Sequence, residues 1–142
     1  MVEFHETVVV DAPLADVVRV MNDVDRWPSW NAAVSRVSRP GSGPLKVGDT
    51  ARVKQPRLPA ATWTVTALDE SGFGWTSSSL GVHSTGDHWA QDAGDGRTNV
   101  TLTLTLSGPL ARITATAYSR LIRRYIRTEA EGLRREVERR PH

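Results

Sequence analysis

The sequence predicts an α+β domain in which an antiparallel sheet packs against one long C-terminal helix. Residues 97–107 alternate between apolar residues and threonine, as in a strand with one buried and one solvated face. Six other segments show strand patterns between turn signals. From Gly108-Pro109 to about Arg139, apolar residues recur at steps of three and four, which predicts a helix of about 30 residues.

The predicted elements run in the order strand, two short helices, meander and long helix. Residues 2–10 form the first strand, and Asp11-Ala12-Pro13 begins a helix with Asp11 as its cap. Pro28 interrupts this helix, since the residue before a proline avoids the α conformation, and a second short helix follows. The meander strands are predicted at residues 32–39, 50–55, 61–68, 73–80, 82–91 and 97–107.

The sequence predicts which side chains face inward on strand 82–91 and on the long helix. If Asp92 pairs with Arg97 across the turn, His88 faces outward, but a shift of one residue reverses every direction. The inward set on strand 82–91 is then His83, Thr85, Asp87 and Trp89. On the long helix, the spacing predicts a buried stripe of Leu110, Ile113, Ala117, Leu121, Tyr125, Glu129 and Leu133.

Composition limits the chemistry that the chain can perform. The 142 residues fit one domain over residues 1–142, and the absence of cysteine excludes disulfides and thiolate chemistry. No apolar run approaches the ~20 residues of a membrane span, and the N-terminus lacks signal-peptide features. We therefore expect a cytoplasmic protein without integral membrane association. His5, His83, His88 and His142 show no metal-ligand spacing, and we expect neither metal nor cofactor.

Arginine is concentrated towards the C-terminus, where residues 112–142 hold nine arginines against four glutamates. Such a surface suits an acidic partner or a membrane surface, or it is a solvated helix face with intrahelical ion pairs. It lacks interleaved exposed aromatic residues, so we expect no nucleic-acid partner. The protein is expected to be a monomer or a homodimer.

Several short segments resemble a known family. Residues 10–17 (VDAPLADV) and 25–30 (DRWPSW) are similar to the opening of the polyketide cyclase/dehydrase family, which belongs to the START-like, or helix-grip, superfamily. Residues 94–98 (GDGRT) and 108–110 (GPL) resemble its later part. The resemblance implies about seven strands wrapped around the C-terminal helix, with a deep pocket between them. Proteins that share this resemblance include aromatase/cyclases, lipid and sterol carriers and hormone-binding proteins, so the resemblance does not fix one function.

The first functional hypothesis is a pocket that binds an apolar small molecule, such as a polyketide, an aromatic compound or a lipid. Aromatic walls offer large apolar contact areas, although the same side chains also serve to fill a core. Trp27 and Trp30 act either as a lid or as a staple that ties the short helix to the sheet. The candidate ligand-binding residues are Trp63, Phe73, Trp75, Ser77, Trp89, Trp27, Trp30 and Leu121.

The second hypothesis is a cofactor-free cyclase or dehydratase with acid/base residues in that pocket. A histidine beside a buried carboxylate provides such a pair, and a tyrosine hydroxyl stabilises an enolate. The candidate catalytic residues are His83, Asp87, Glu6 and Tyr125. Alternatively, the polar strand 82–91 is a solvent-exposed rim. A third hypothesis is a protein-interaction module that uses the arginine-rich helix.

Overall fold

Seven strands form one antiparallel sheet in the order β1-β7-β6-β5-β4-β3-β2. The computed structural model describes residues 1–140, and His142 lies outside them. The strands are β1 (Val2–Val10), β2 (Arg36–Ser38), β3 (Thr50–Lys54), β4 (Ala61–Asp69), β5 (Gly72–Ser79), β6 (Val82–Gly94) and β7 (Arg97–Ser107). The sheet confirms the predicted α+β class, although β2 is much shorter than the strand predicted at residues 32–39.

The helices are α1 (Leu14–Asn22), a 3₁₀ turn (Val24–Arg26), α2 (Trp27–Trp30) and α3 (Ala111–Arg139). The two short helices and the long one were predicted, but the predicted cap was wrong. Pro13 precedes the first turn of α1, and no side chain caps it. The backbone N–H of Asp11 instead donates to Glu138 Oε2 across 2.8 Å, which joins the end of β1 to the last turn of α3.

The register predicted for β6 was wrong by one residue. Ala90, rather than Trp89, pairs with Val100, and a bulge between Asp92 and Gly94 absorbs the extra residue. The bulge follows from a tight two-residue connection at positions 95 and 96. Because side chains alternate along a strand, this shift reverses the whole predicted inward set. His88 therefore faces α3, while the residues predicted to face inward, His83, Thr85, Asp87 and Trp89, lie on the outer face.

The first half of the stripe predicted for α3 was also wrong. Ile113 is 68% exposed, and Ala117 is exposed as well. The helix instead contacts the sheet through small residues at its start, Ala111 and Ala115, which pack with Phe4. Its far end packs through Ala130, Leu133 and Val137. Because alanine side chains are small, the helix axis approaches the strands closely where they lie. This close contact determines which face of α3 points towards the sheet.

Gly132 lies in the interior of α3, where it allows α2 to approach the helix. A Cβ built on Gly132 would lie 2.5 Å from the carbonyl oxygen of Trp30, closer than real contacts allow. The Trp30 side chain packs against two apolar clusters, one with α1 and β7 and one with β3 and β5. The absence of a side chain at Gly132 therefore allows α2 to pack directly against α3.

Arg39 ties the loop after β2 to the rest of the fold. Its side chain is only 6% exposed, and its guanidinium group contacts Asp25 at 2.9 Å and Asp49 at 3.2 Å. It also donates to the carbonyl oxygen of Gly43. Two carboxylates and a carbonyl thus compensate the charge of a buried arginine, as burial requires.

Glu136, near the end of α3, accepts hydrogen bonds from Arg139 in the last turn of the helix and from Arg140 directly after it. Arg139 contacts one carboxylate oxygen at 2.7 Å and Arg140 the other at 2.8 Å. Burial of Glu136 opposes its ionisation, but the hydrogen bonds and charges of the two arginines outweigh burial and hold its pKa below the ordinary value. The ionised form therefore stabilises the folded state.

We expect Glu136→Gln to lower the free energy of unfolding by about 1 kcal/mol at pH 7. A depressed folded-state pKa contributes stability above the unfolded pKa of about 4.3 and loses it as pH falls through the folded pKa. The difference between wild type and variant should therefore close in acid, as measured by urea unfolding at several pH values. Glu131→Gln, at an exposed position of the same helix, is the control. A difference that stays constant down to acid pH would contradict this account.

Candidate functional site

A cavity of about 660 Å³ lies between the inner face of the sheet and α3. This volume is within the range of small-molecule sites. Its walls are inward residues of β3 to β7 and the middle of α3. At one end the lining residues are buried, including Trp27, Val53 and His88. At the other end they are exposed, including Leu80 and Tyr118, so the cavity opens there.

Aromatic rings surround His88 at the buried end. Phe73 stacks on the imidazole with a centroid distance of 4.4 Å and an interplanar angle of 13°. The rings of Trp27 and Trp75 lie 5.2 Å and 5.9 Å from it. Trp27 is itself fixed, because its Nε1 donates to the carbonyl oxygen of Met21 across 2.9 Å. The imidazole is therefore held in one orientation and shielded from water.

His88, Glu129 and Asn31 form a polar chain at this end of the cavity. Nε2 of His88 lies 3.3 Å from Oε2 of Glu129, and both side chains are largely buried. Asn31 Nδ2 donates to Oε1 of the same carboxylate across 3.2 Å. Asn31 is fully buried, and its own Oδ1 accepts the backbone N–H of Ala33. The carboxylate is thus positioned from two sides, by the sheet and by the segment after α2.

The second imidazole nitrogen of His88 has no partner. Nδ1 is buried and makes no hydrogen bond with any residue of the described chain. The other nitrogen, Nε2, faces the carboxylate of Glu129. Imidazole and carboxylate side chains are the groups that general acid/base chemistry most often uses.

Five of the eight predicted ligand-binding residues line the cavity: Trp63, Trp75, Ser77, Trp27 and Leu121. Phe73 lies behind His88 rather than on the cavity wall. Trp30 packs between the apolar clusters, as a staple would, and does not line the cavity. Trp89 lies on the outer face of the sheet, where its Nε1 donates to Asp87 across 3.4 Å.

The four predicted catalytic residues do not come together. His83 contacts Ser78 at 2.7 Å on the exposed outer face. Asp87 borders the cavity through its strand position, but its carboxylate lies beside Gly74 on the outer face. Glu6 shares a face with Leu102, yet it does not line the cavity.

Tyr125 is the one predicted catalytic residue whose side chain faces the cavity. Its hydroxyl donates to the carbonyl oxygen of Pro56. The loop at residues 55–60, which forms part of the cavity rim, is thereby attached to α3. Lys54 holds the same loop from its other side by donating to the carbonyl oxygens of Gln55 and Leu58. The hydroxyl of Tyr125 therefore supports the cavity wall.

Sequence reasoning missed His88 and Asn31 as site residues and placed Glu129 only on the helix stripe. A glutamate among apolar positions of a buried stripe was the available signal, because a buried carboxylate needs a partner. Nothing local identifies that partner. Asn31 lies 98 residues before Glu129 in the chain, and His88 depended on the register of β6.

The sequence matches one family model along nearly its whole length. The model describes polyketide cyclase/dehydrase and lipid transport proteins, and it matches residues 1–138. The chain belongs to this family. No curated protein matches its sequence.

Solved structures share the helix-grip fold of this cyclase/dehydrase family protein. The Zhui aromatase/cyclase from a Streptomyces species is 18% identical, with a TM-score of 0.78 over 98% of this chain and 94% of the other. A hypothetical protein from Helicobacter pylori is 12% identical, with a TM-score of 0.81 over 96% and 88%. Norcoclaurine synthase from Thalictrum flavum, solved with dopamine and hydroxybenzaldehyde, is 13% identical, with a TM-score of 0.77 over 99% and 88%. At these identities the likeness establishes the fold alone.

The described residues show neither a membrane-spanning helix nor a metal-binding cluster. Within residues 1–140, no helix combines the length and apolarity that crossing a bilayer requires. Over the same residues, no group of three or more histidine or acidic side chains is arranged to hold a metal ion.

We expect Glu129→Leu to lower the free energy of unfolding by about 2 kcal/mol, because Asn31 loses its hydrogen-bond acceptor and His88 loses its carboxylate neighbour in a buried position. The matched control is Glu131→Leu, two residues along the same helix and exposed, which should change stability by less than about 0.5 kcal/mol. Chemical unfolding of both variants measures the difference. Equal effects would show that the buried polar chain contributes nothing to folding.

Proposed function

We propose that this protein binds an apolar small molecule in the cavity between the sheet and α3. The observation that carries the proposal is the cavity itself, about 660 Å³ in size and bounded by apolar and aromatic side chains. Close packing normally leaves few voids larger than a water molecule inside a domain. Space of this size therefore suits a ligand whose apolar body replaces water.

The two ends of the cavity support a particular orientation of that ligand. His88 and Glu129 supply polar groups at the buried end, and the walls between Trp63, Trp75 and Leu121 are largely apolar. A ligand with one polar group on an apolar body satisfies both ends, since a few convergent polar groups fix orientation in a mostly apolar site. Its polar group would lie within reach of the His88 and Glu129 pair.

A dye titration tests the cavity. We expect anilinonaphthalene sulfonate to bind with enhanced fluorescence, excited by energy transfer from the tryptophans of the cavity wall. Ser77→Trp combined with Leu121→Trp fills the space from the sheet and from the helix, and should weaken dye binding at least about tenfold, a loss of about 1.4 kcal/mol.

The control for the dye titration is Ala117→Trp, which adds the same side chain at an exposed position of α3. This variant should bind the dye as the wild type does. If the double variant also keeps wild-type affinity while remaining folded, the dye binds elsewhere and the cavity is not its site.

A second candidate function is acid/base catalysis on a bound carbonyl compound. The observation that favours it is the contact between His88 and Glu129, shielded by aromatic rings and positioned by Asn31. Proton transfer by such a pair accelerates enolisation, the step that cyclisation and dehydration of polyketide-like compounds share. Among the similar structures, an aromatase/cyclase and norcoclaurine synthase are enzymes, which supports the proposal through shared fold only.

Proton exchange on a model diketone tests this chemistry without the natural substrate. We expect the protein to accelerate deuterium uptake at the acidic carbon of benzoylacetone beyond the rate in buffer, as followed by NMR. Glu129→Gln should reduce the acceleration by about a hundredfold, the scale of general acid/base catalysis. His83→Gln, on the outer face of the sheet, should leave it unchanged. If the wild-type protein does not accelerate the exchange, the acid/base proposal is wrong and the binding proposal alone stands.

A further inference from the structure

Exposed apolar side chains gather at the open end of the cavity. Of the seven large apolar side chains exposed in the described part of the chain, four lie on the β5–β6 turn or near the start of α3. These four, the entrance patch, are Leu80, Leu110, Ile113 and Tyr118, exposed by 91%, 44%, 68% and 46%. The turn and the helix start touch, because the N–H of Leu110 donates to the carbonyl oxygen of Gly81 across 3.1 Å. Leu80 and Tyr118 also border the cavity, so the patch continues its apolar lining.

Leu80 has a backbone conformation that disfavours leucine. Leu80 and Gly81 form the two-residue connection between β5 and β6, with φ angles of 42° and 83°. Such turns favour asparagine, aspartate or glycine, since other side chains are strained at positive φ. The β6–β7 connection of the same chain follows that preference with Asp95-Gly96, at 56° and 74°. Asparagine would suit this turn better, and the exposed side chain of Leu80 adds little packing to the fold. A leucine at this position therefore indicates a contact outside the chain.

Over its first 18 residues α3 carries positive charge alone. Residues 111–128 contain five arginines and no aspartate or glutamate. None of these arginines forms an ion pair within the described chain, although Arg123 lies over the ring of Phe4 at 5.0 Å. Arg120 and Arg124 follow Ile113 by seven and eleven residues, which places all three on one face of the helix. Basic and apolar groups therefore share the outer surface at the open end.

We propose that this end of the molecule docks on an anionic lipid bilayer. Leu80 and Ile113 enter the boundary between headgroups and acyl chains, and Arg120 and Arg124 contact lipid phosphates. Apolar side chains beside a basic helix face are typical of interfacial membrane contact. In this position the open end of the cavity faces the acyl region, so an apolar ligand reaches the cavity without crossing water. That route rests on the proposed function, whereas the docking itself does not.

The surface fits a bilayer better than it fits an acidic protein. A protein partner recognises guanidinium groups through carboxylates held at fixed positions. Here the most exposed apolar group, Leu80, protrudes on a turn, and the arginines lie along a helix without fixed partners. A bilayer offers phosphates at every position and an apolar layer that accepts a protruding side chain. Its phosphates complement an all-positive surface whatever the exact spacing of the arginines.

Vesicle cosedimentation tests the docking. We expect the full chain to bind vesicles of equimolar phosphatidylcholine and phosphatidylglycerol at low ionic strength, and to bind pure phosphatidylcholine far more weakly. Arg120→Gln combined with Arg124→Gln should weaken partitioning about 25-fold, since each basic residue near an anionic surface contributes about fivefold. Leu80→Asn should weaken it about tenfold, while its melting temperature rises by about 2 °C because asparagine suits the turn.

The matched charge control is Arg134→Gln combined with Arg135→Gln, which removes two exposed positive charges about 19 Å further along the same helix. The proposal requires this control to lose less than about threefold. Equal losses in both double variants would show diffuse attraction to charge and overturn it. Undiminished binding by Leu80→Asn would also overturn it, as would the absence of binding to anionic vesicles, the result expected if an acidic protein is the partner.

The same variants separate the docking from the ligand proposal. Arg120 and Arg124 do not line the cavity, so their double variant should bind the dye in solution as the wild type does. Wild-type protein that binds the dye but not vesicles would overturn the docking alone. If the wild-type protein binds vesicles and the cavity-filling double variant still binds the dye, the ligand proposal alone is overturned.

Discussion

Contact between α3 and the sheet at both ends of the helix is the constraint on which the cavity depends. Ala111 and Ala115 bring the start of the helix against Phe4, and Leu133 and Val137 bring its far end against α1 and β7. Between these two contacts the larger side chains of the helix form one wall of the cavity, and Ile122 and Ile126 also pack against the apolar clusters beside it. The small residues that support the start of the helix and the larger side chains between the two contacts therefore set the width of the space.

The two ends of the cavity differ in every property that matters for recognition. One end is buried, aromatic and polar at a single point, where Phe73 stacks on His88 beside Glu129. The other end is exposed and apolar, and the part of α3 that borders it carries arginines and no acidic residue between positions 111 and 128. A ligand with one polar group would have one preferred orientation in such a cavity, since that group forms polar contacts at only one of the two ends.

Much of the fold follows from local patterns in the sequence. The threonine and leucine alternation of β7 and the spacing of α3 each extend over enough residues to identify the element. The site did not follow, because it depends on two quantities that no local pattern carries. The register of β6 is set by one bulged residue, and the rotation of α3 is set by where the sheet approaches it. Each error moved candidate residues to the wrong face while leaving the element itself correct.

Long-range polar contacts were beyond sequence reasoning for a different reason. Arg39 is buried among carboxylates from two separate segments, and Asn31 reaches a carboxylate on the C-terminal helix. Each of these residues is an ordinary polar residue in its own neighbourhood of the sequence. Their roles become visible only when the whole chain has closed around them.

Gly132 reverses a common rule for improving helices. In an exposed helix interior, alanine in place of glycine adds stability, since glycine has more backbone freedom to lose on folding. At this position the added methyl group would meet the carbonyl oxygen of Trp30, and the two helices would have to separate. Trp30 leads directly into Asn31, so the first side chain displaced would be the amide that positions Glu129. A substitution made to strengthen α3 would thus disturb the polar contacts at the buried end of the cavity through a single backbone contact.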